Sequence, residues 1–259
     1  APMKGRSIYD TPVFTDYRTV RTNRGETDTQ HTLLSTAAYK YSNPVAGVFF
    51  NVRPMFNRTS GNILNQSRLT DNIYYINATD KEYDMQTIGL SGRINKTFGW
   101  AKTLISLGAS QNVTDYSLLI SGEVNDARMK NSYIGIDFSL RPIRQLSIEG
   151  KSNVNIYEQK NLSCPELSAG TTTDWQHSLN LHIFPAGNWM LSVKNELFHT
   201  DEEGADANYF LDLALSYKSK RWELSLTVNN IIGTSEFERR VLGNEMESYS
   251  ITRLRPREF

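Results

Sequence analysis

The chain has 259 residues with 28 basic and 28 acidic side chains, so no bulk charge draws it to nucleic acid or to an anionic surface. Its mean hydropathy is −0.48, and no apolar run approaches the roughly 18 residues that a membrane helix needs. That excludes helical spans but not a β-barrel, in which only alternate residues meet lipid.

Period-2 alternation predicts a long series of half-apolar strands. A first short strand falls in Val13–Arg21. In Leu33–Tyr41, the residues Leu33, Ala37, Tyr39 and Tyr41 share a face. After the tight joint Ser42–Val45, Val48, Phe50, Val52 and Phe56 oppose Asn51, Arg53 and Asn57. The polar stretch Asn57–Asp84 predicts a long loop. Ile88, Leu90 and Ile94 then oppose Thr87, Ser91 and Arg93; past the joint Lys96–Ala101, Ile105, Leu107 and Ala109 oppose Ser106, Ser110 and Asn112. A second long loop is predicted over Asn112–Arg128. Ile134, Ile136, Phe138 and Leu140 oppose Asp137 and Ser139. Past Arg141–Gln145, Leu146, Ile148, Val154 and Ile156 oppose Ser147, Glu149, Lys151, Asn153 and Asn155.

A third long loop, Glu158–Thr172, leads to Leu179, Leu181 and Ile183 against Ser178, Asn180 and His182. Across Pro185–Asn188, Trp189, Leu191, Val193 and Leu197 oppose Ser192, Lys194 and Glu196. The loop Thr200–Ala207 precedes Tyr209, Leu211, Leu213, Leu215 and Tyr217 against Asp212 and Ser216. After Lys218–Arg221 come Trp222, Leu224, Leu226 and Val228 against Glu223, Ser225, Thr227 and Asn229. A last loop, Ile232–Glu247, ends in a strand at Glu247–Arg253.

Short and long joints thus alternate strictly, as they do when one rim of a barrel faces the periplasm and the other the exterior. Aromatic residues gather beside the short joints: Tyr39, Tyr41, Phe98, Trp100, Trp189, Tyr217 and Trp222. Amphipathic rings at one end of successive strands suit a membrane–water interface. Mid-strand charges fill the other face. The pattern predicts an all-β fold, an antiparallel up-and-down transmembrane β-barrel, in the bacterial outer membrane with lipid as its partner. The competing reading is a soluble secreted β-sheet binding protein, whose apolar stripe would be covered by a second sheet.

No enzyme constellation emerges. His31, His177, His182 and His199 lack helical zinc spacing, and His177 and His182 point to opposite faces of one strand. The acidic run Asp201, Glu202, Glu203 and Asp206 reads as a polar loop around Gly204 rather than a calcium site. The single Cys164 forms no internal disulfide. The chain is therefore expected to be neither an enzyme nor dependent on a cofactor or metal. The candidate functional residues are the charged ones of the polar face, Arg53, Arg93, Glu149, Lys151, Lys194 and Glu196, expected to line a water-filled lumen.

The segments "WELSLTVNNIIGTSEFERRV" and "MESYSITRLRPREF" resemble the C-terminal hairpin of TonB-dependent outer-membrane receptors of the Bacteroidetes type, through Trp222, Leu224, Leu226, Val228, Asn230 and Ile231, then Tyr249, Leu254, Arg255, Pro256 and Arg257. "YKYSNPVAGVFFNV" is similar to another hairpin of that family. The resemblance implies a barrel of about 22 strands, of which residues 1–259 form a C-terminal part. The plug domain is not in this chain, and Ala1–Pro12 lacks the apolar core of a signal peptide. It further implies energised uptake of a scarce nutrient, small-molecule or oligomeric (siderophore, glycan or peptide), bound at long extracellular loops. Its expected partners are an inner-membrane energy-transducing protein and a surface lipoprotein, with no nucleic acid. A non-transport outer-membrane barrel serving assembly, adhesion or surface anchoring stays open beside it.

Overall fold

The computed structural model describes residues 11–22, 29–120, 122–168, 170–201, 207–234, 236–242 and 247–253. Glu202, Glu203, Asp206 and the terminal motif residues Leu254, Arg255, Pro256 and Arg257 lie outside them. The strands are β1 (Val13–Asp16), β2 (Thr19–Thr22), β3 (Gln30–Thr36), β4 (Tyr39–Asn43), β5 (Val48–Thr70), β6 (Ile73–Phe98), β7 (Thr103–Ile120), β8 (Glu123–Ile143), β9 (Leu146–Asn161), β10 (Gly170–Ile183), β11 (Trp189–Thr200), β12 (Asn208–Lys218), β13 (Glu223–Val228), β14 (Glu236–Leu242) and β15 (Glu247–Arg253). Two 3₁₀ turns, Trp100–Lys102 and Pro165–Leu167, are the only helical pieces among the described residues.

From β5 to β13 each strand pairs antiparallel with the next in sequence, an up-and-down meander; β1 to β4 complete a sheet of 13 strands, and β14 pairs with β15 separately. One pairing breaks the antiparallel rule: β2 runs parallel to β6, with Thr19 opposite Tyr74 and Thr22 opposite Asn77. That stretch of β6 lies beyond the end of its β7 ladder, which starts at Met85, so the β1–β2 hairpin takes up backbone groups that β7 leaves free. Among the described residues β13 pairs only with β12, and β3 and β4 only with β5, so the sheet does not close.

Several expectations are corrected: Val13–Arg21 holds two strands, β1 and most of β2, and Ile232–Glu247 holds β14. Asn57–Asp84 and Asn112–Arg128 are not loops. β5 and β6 run on as a ribbon to a two-residue turn at Asp71–Asn72, where φ is 50° and 63°, and β7 and β8 run on to a turn ending at Gly122, where φ is 87°. Adjacent positive φ values are what a type I′ hairpin turn requires, and Asp, Asn and Gly supply them with least strain. The predicted strand Leu33–Tyr41 is also broken, into β3 and β4, which both pair along β5.

The registers bring every predicted apolar set onto one face. Phe50 lies opposite Ile94, Ile94 opposite Leu107, Leu107 opposite Ile136, and Ile134 opposite Val154. Val154 then meets Trp175, Leu181 meets Val193, Val193 meets Leu213, and Leu215 meets Leu226. No second layer covers this face among the described residues: Ile134 stays 63% exposed, Leu90 55% and Leu224 62%, and the buried apolar residues are only Val20, Leu64, Leu119 and Ala127. A single sheet with a bare apolar face lacks the packed layer that stabilises a water-soluble domain.

Candidate functional site

The two faces differ in kind. On the apolar face from β5 to β13, between Lys96 at the short-turn end and the level of Gln86, Lys130 and Glu158, no Asp, Glu, Lys or Arg occurs in the described strands. Polar residues on this face partner their neighbours on the sheet. Asn195 accepts a 2.6 Å hydrogen bond from the Tyr209 hydroxyl and donates to the Leu179 carbonyl at 3.4 Å, while His177 stacks on Trp175.

Rings edge the band at its short-turn rim. Phe50 packs with Tyr41 and Tyr39 at centroid distances of 5.3 and 5.6 Å, and Trp189 meets its cross-strand neighbour Tyr217 at 4.8 Å. Trp100 and Trp222 stand further out, 75% and 70% exposed.

At the opposite rim the same face turns charged within one or two residue pairs. Arg58 binds Asp84 at 2.9 Å; Arg128 grips Asp115 with Nε at 2.6 Å and Nη2 at 3.0 Å; Lys130 reaches Glu158 at 3.2 Å, and Lys160 binds the same carboxylate. These pairs form a belt across β5 to β9. Strand pairing places the members, since Asp115 lies opposite Arg128, and Lys130 opposite Glu158.

The polar face holds all six candidate residues. Arg93 lies over Gly108, where an added Cβ would sit 3.6 Å from its Nε, and reaches across β7 to Asp137 on β8 at 3.9 Å. Lys194 pairs with Glu196 on its own strand at 3.0 Å. Arg53, Glu149 and Lys151 have no ion-pair partner among the described residues. Between β7 and β10 this face opens into a hollow of about 330 Å³ lined by Ser106, Asp137, Glu149, Lys151, Ser178 and Asn180. The Ser106 hydroxyl and the Asn180 carbonyl oxygen have no hydrogen-bond partner there. Oxygens, carboxylates and an ammonium facing one space can hold water or a polar solute.

The histidines do not converge. His182 shares a 2.9 Å hydrogen bond with Ser192 on the polar face, whereas His177 is on the apolar face. Asp201, the neighbour that could have served His199, instead caps the strand pair by accepting the Thr173 amide at 2.6 Å. No cluster of three or more His, Cys, Asp or Glu suited to a metal occurs among the described residues.

Sequence reasoning missed two features. The sequence puts Asp137 on the polar face but does not join it to Arg93, because the two are a strand apart and only the register brings them together. The ion-pair belt lies largely in stretches whose polarity reads as loop; its signal is that the apolar parity of Ile134 and Ile136 continues backward into Lys130 and Arg128. No protein-family model and no curated protein matches the sequence.

Proposed function

We propose that this chain is part of the wall of an outer-membrane barrel receptor that imports a scarce nutrient. The observation that carries the membrane reading is the uncharged, exposed apolar band with rings at one rim and ion pairs at the other. Its height supports it. From Lys130 to Arg141, where charge resumes ahead of the Arg144–Gln145 turn, is about eleven steps of ~3.4 Å along β8, or roughly 29 Å after projection at a tilt of about 40°, against a band about 25 Å tall in known barrels. An open sheet in lipid leaves unpaired edges at a cost of several kcal/mol per group, so further strands would close it beside β13 and beside β3 and β4.

The transport reading rests on the resemblance of the terminal hairpin, together with a polar face whose free Arg53, Glu149 and Lys151 and whose hollow give a solute hydrogen-bonding surface. The long ribbons β5–β6 and β7–β8 extend past the belt and form the outer, ligand-meeting side. The test is nutrient uptake by cells lacking the gene. Loss of growth on a limiting siderophore, glycan or peptide, restored by the full-length gene, supports import. Unchanged uptake of every class, with the protein found in the outer membrane, leaves the non-transport barrel. Recovery as a soluble monomer without detergent defeats both.

A further inference from the structure

Over the hollow of the polar face, β9 carries two charges of opposite sign that stay apart. Glu149 and Lys151 lie two residues from each other, about 6.8 Å along the strand, and both are exposed. Lys194 and Glu196 have the same spacing on β11 and close onto each other at 3.0 Å. Glu149 and Lys151 do not, and neither has an ion-pair partner among the described residues. The charges around them are already engaged. Asp137 lies opposite Lys151 in the register, but Arg93 takes it from the far side at 3.9 Å. Arg141 donates to the Arg144 carbonyl at 2.7 Å, and Asp212 accepts the Asn230 amide at 2.8 Å. Neutral groups beside the hollow also lack partners. These are the Ser106 hydroxyl, on a side chain only 6% exposed, and the oxygen of Asn180, which lies opposite Glu149. The Asn153 oxygen, two residues on from Lys151 and 7% exposed, is a third. Buried polar atoms without partners are unfavourable, so three of them beside one hollow call for an occupant that supplies the missing groups.

We propose that this hollow binds a short zwitterionic peptide, two or three residues long with both ends free. This rests on reading the polar face as the path of an imported solute, and it selects one class of solute. The peptide ammonium meets Glu149 and the carboxylate meets Lys151, so each end gains a charge-assisted hydrogen bond. Consecutive Cα atoms are about 3.8 Å apart and each terminal group begins about 1.5 Å further out, so the ends of a dipeptide fall within reach of side chains rooted about 6.8 Å apart. Between the ends, the peptide N–H donates to the Asn180 oxygen and the peptide carbonyl accepts from the Ser106 hydroxyl. At about 330 Å³ the hollow is at the small end of ligand sites. A neutral sugar brings hydroxyls but no charge, and leaves Glu149 and Lys151 both without a counter-ion.

The experiment is calorimetric titration of the full-length protein in a neutral detergent with alanyl-alanine, its N-acetyl form, its C-terminal amide and glucose. Binding of alanyl-alanine is expected, with each blocked form about tenfold weaker, the loss of one charge-assisted hydrogen bond at an exposed site. Glucose is expected to bind more weakly than any of them. Comparing the blocked forms on the unaltered protein tests the two charges without any substitution. Glu149→Gln is expected to erase the preference over the N-acetyl form and keep that over the amide, and Lys151→Gln to do the reverse. Arg58→Gln, on the other face, should leave the titration unchanged. Equal binding of all four compounds, tighter binding of glucose, or no binding by a protein that restores uptake in cells overturns the peptide site and leaves import standing. The crossed pattern of preferences in a protein that restores no uptake supports the site and defeats the import reading instead.

Discussion

Ile136 gives the sharpest test of what the apolar face meets. It lies on β8 midway between Lys130 and Arg141, opposite Leu107 and Ser152, and is 39% exposed. At that depth an arginine cannot reach either rim. In a bilayer, Ile136→Arg is expected to cost about 2–4 kcal/mol, shifting the unfolding constant by about 30- to 700-fold. On a water-facing sheet the same change stays within about 0.5 kcal/mol. The two environments thus differ by several times the error of the measurement. The assay is urea unfolding of the full-length protein folded in phosphatidylcholine vesicles, with Asn155→Arg, on the opposite face one residue from Val154, as the control expected to be nearly neutral. An Ile136→Arg protein as stable as wild type, or an Asn155→Arg protein equally damaged, would refute the assignment of the two faces.

Three further outcomes follow from local geometry. A Cβ at Gly150 would fall within the Phe138 ring that covers it from the next strand, so Gly150→Ala is expected to destabilise by about 1–3 kcal/mol, with Phe138→Leu in the same background recovering part in a double-mutant unfolding cycle. Tyr209→Phe strands the Asn195 carbonyl oxygen on the apolar face and should cost about 1–3 kcal/mol in vesicles; a neutral result would mean that water reaches Asn195. Beyond the band, the hydrogen bond from Arg128 holds the Asp115 carboxyl below its ordinary value, and Lys160 followed by Lys130 does the same for Glu158. Depressed carboxylates stabilise above the unfolded pKa and lose that contribution as pH falls through the folded one. Stability should therefore hold from neutral pH to about 4.5 and decline below about 4, and a midpoint between pH 5 and 6 in an acid titration would contradict the pairing.

What the sequence determined by itself is the sidedness of each strand. Side chains alternate with a period of two, so Leu211, Leu213 and Leu215 share a face whatever their neighbours are, and Asp212 takes the other. Each predicted apolar set from Val48 to Val228 survives in the structure for that reason, and so does the segregation of Arg53, Arg93, Glu149, Lys151, Lys194 and Glu196. The extent of the strands was less legible. Beyond Asn57 and Asn112 the face is no longer uniformly apolar, so alternation fades, although the β-branched and aromatic residues of Ile73–Ile76 and the Asp71–Asn72 turn still carry a hairpin signal. Tertiary structure alone decided which charges meet. Arg93 finds Asp137 across an intervening strand, and Arg128 is set against Lys160, because inter-strand register depends on backbone pairing over the whole ladder. A register moved by one residue would have turned every one of those side chains to the other face.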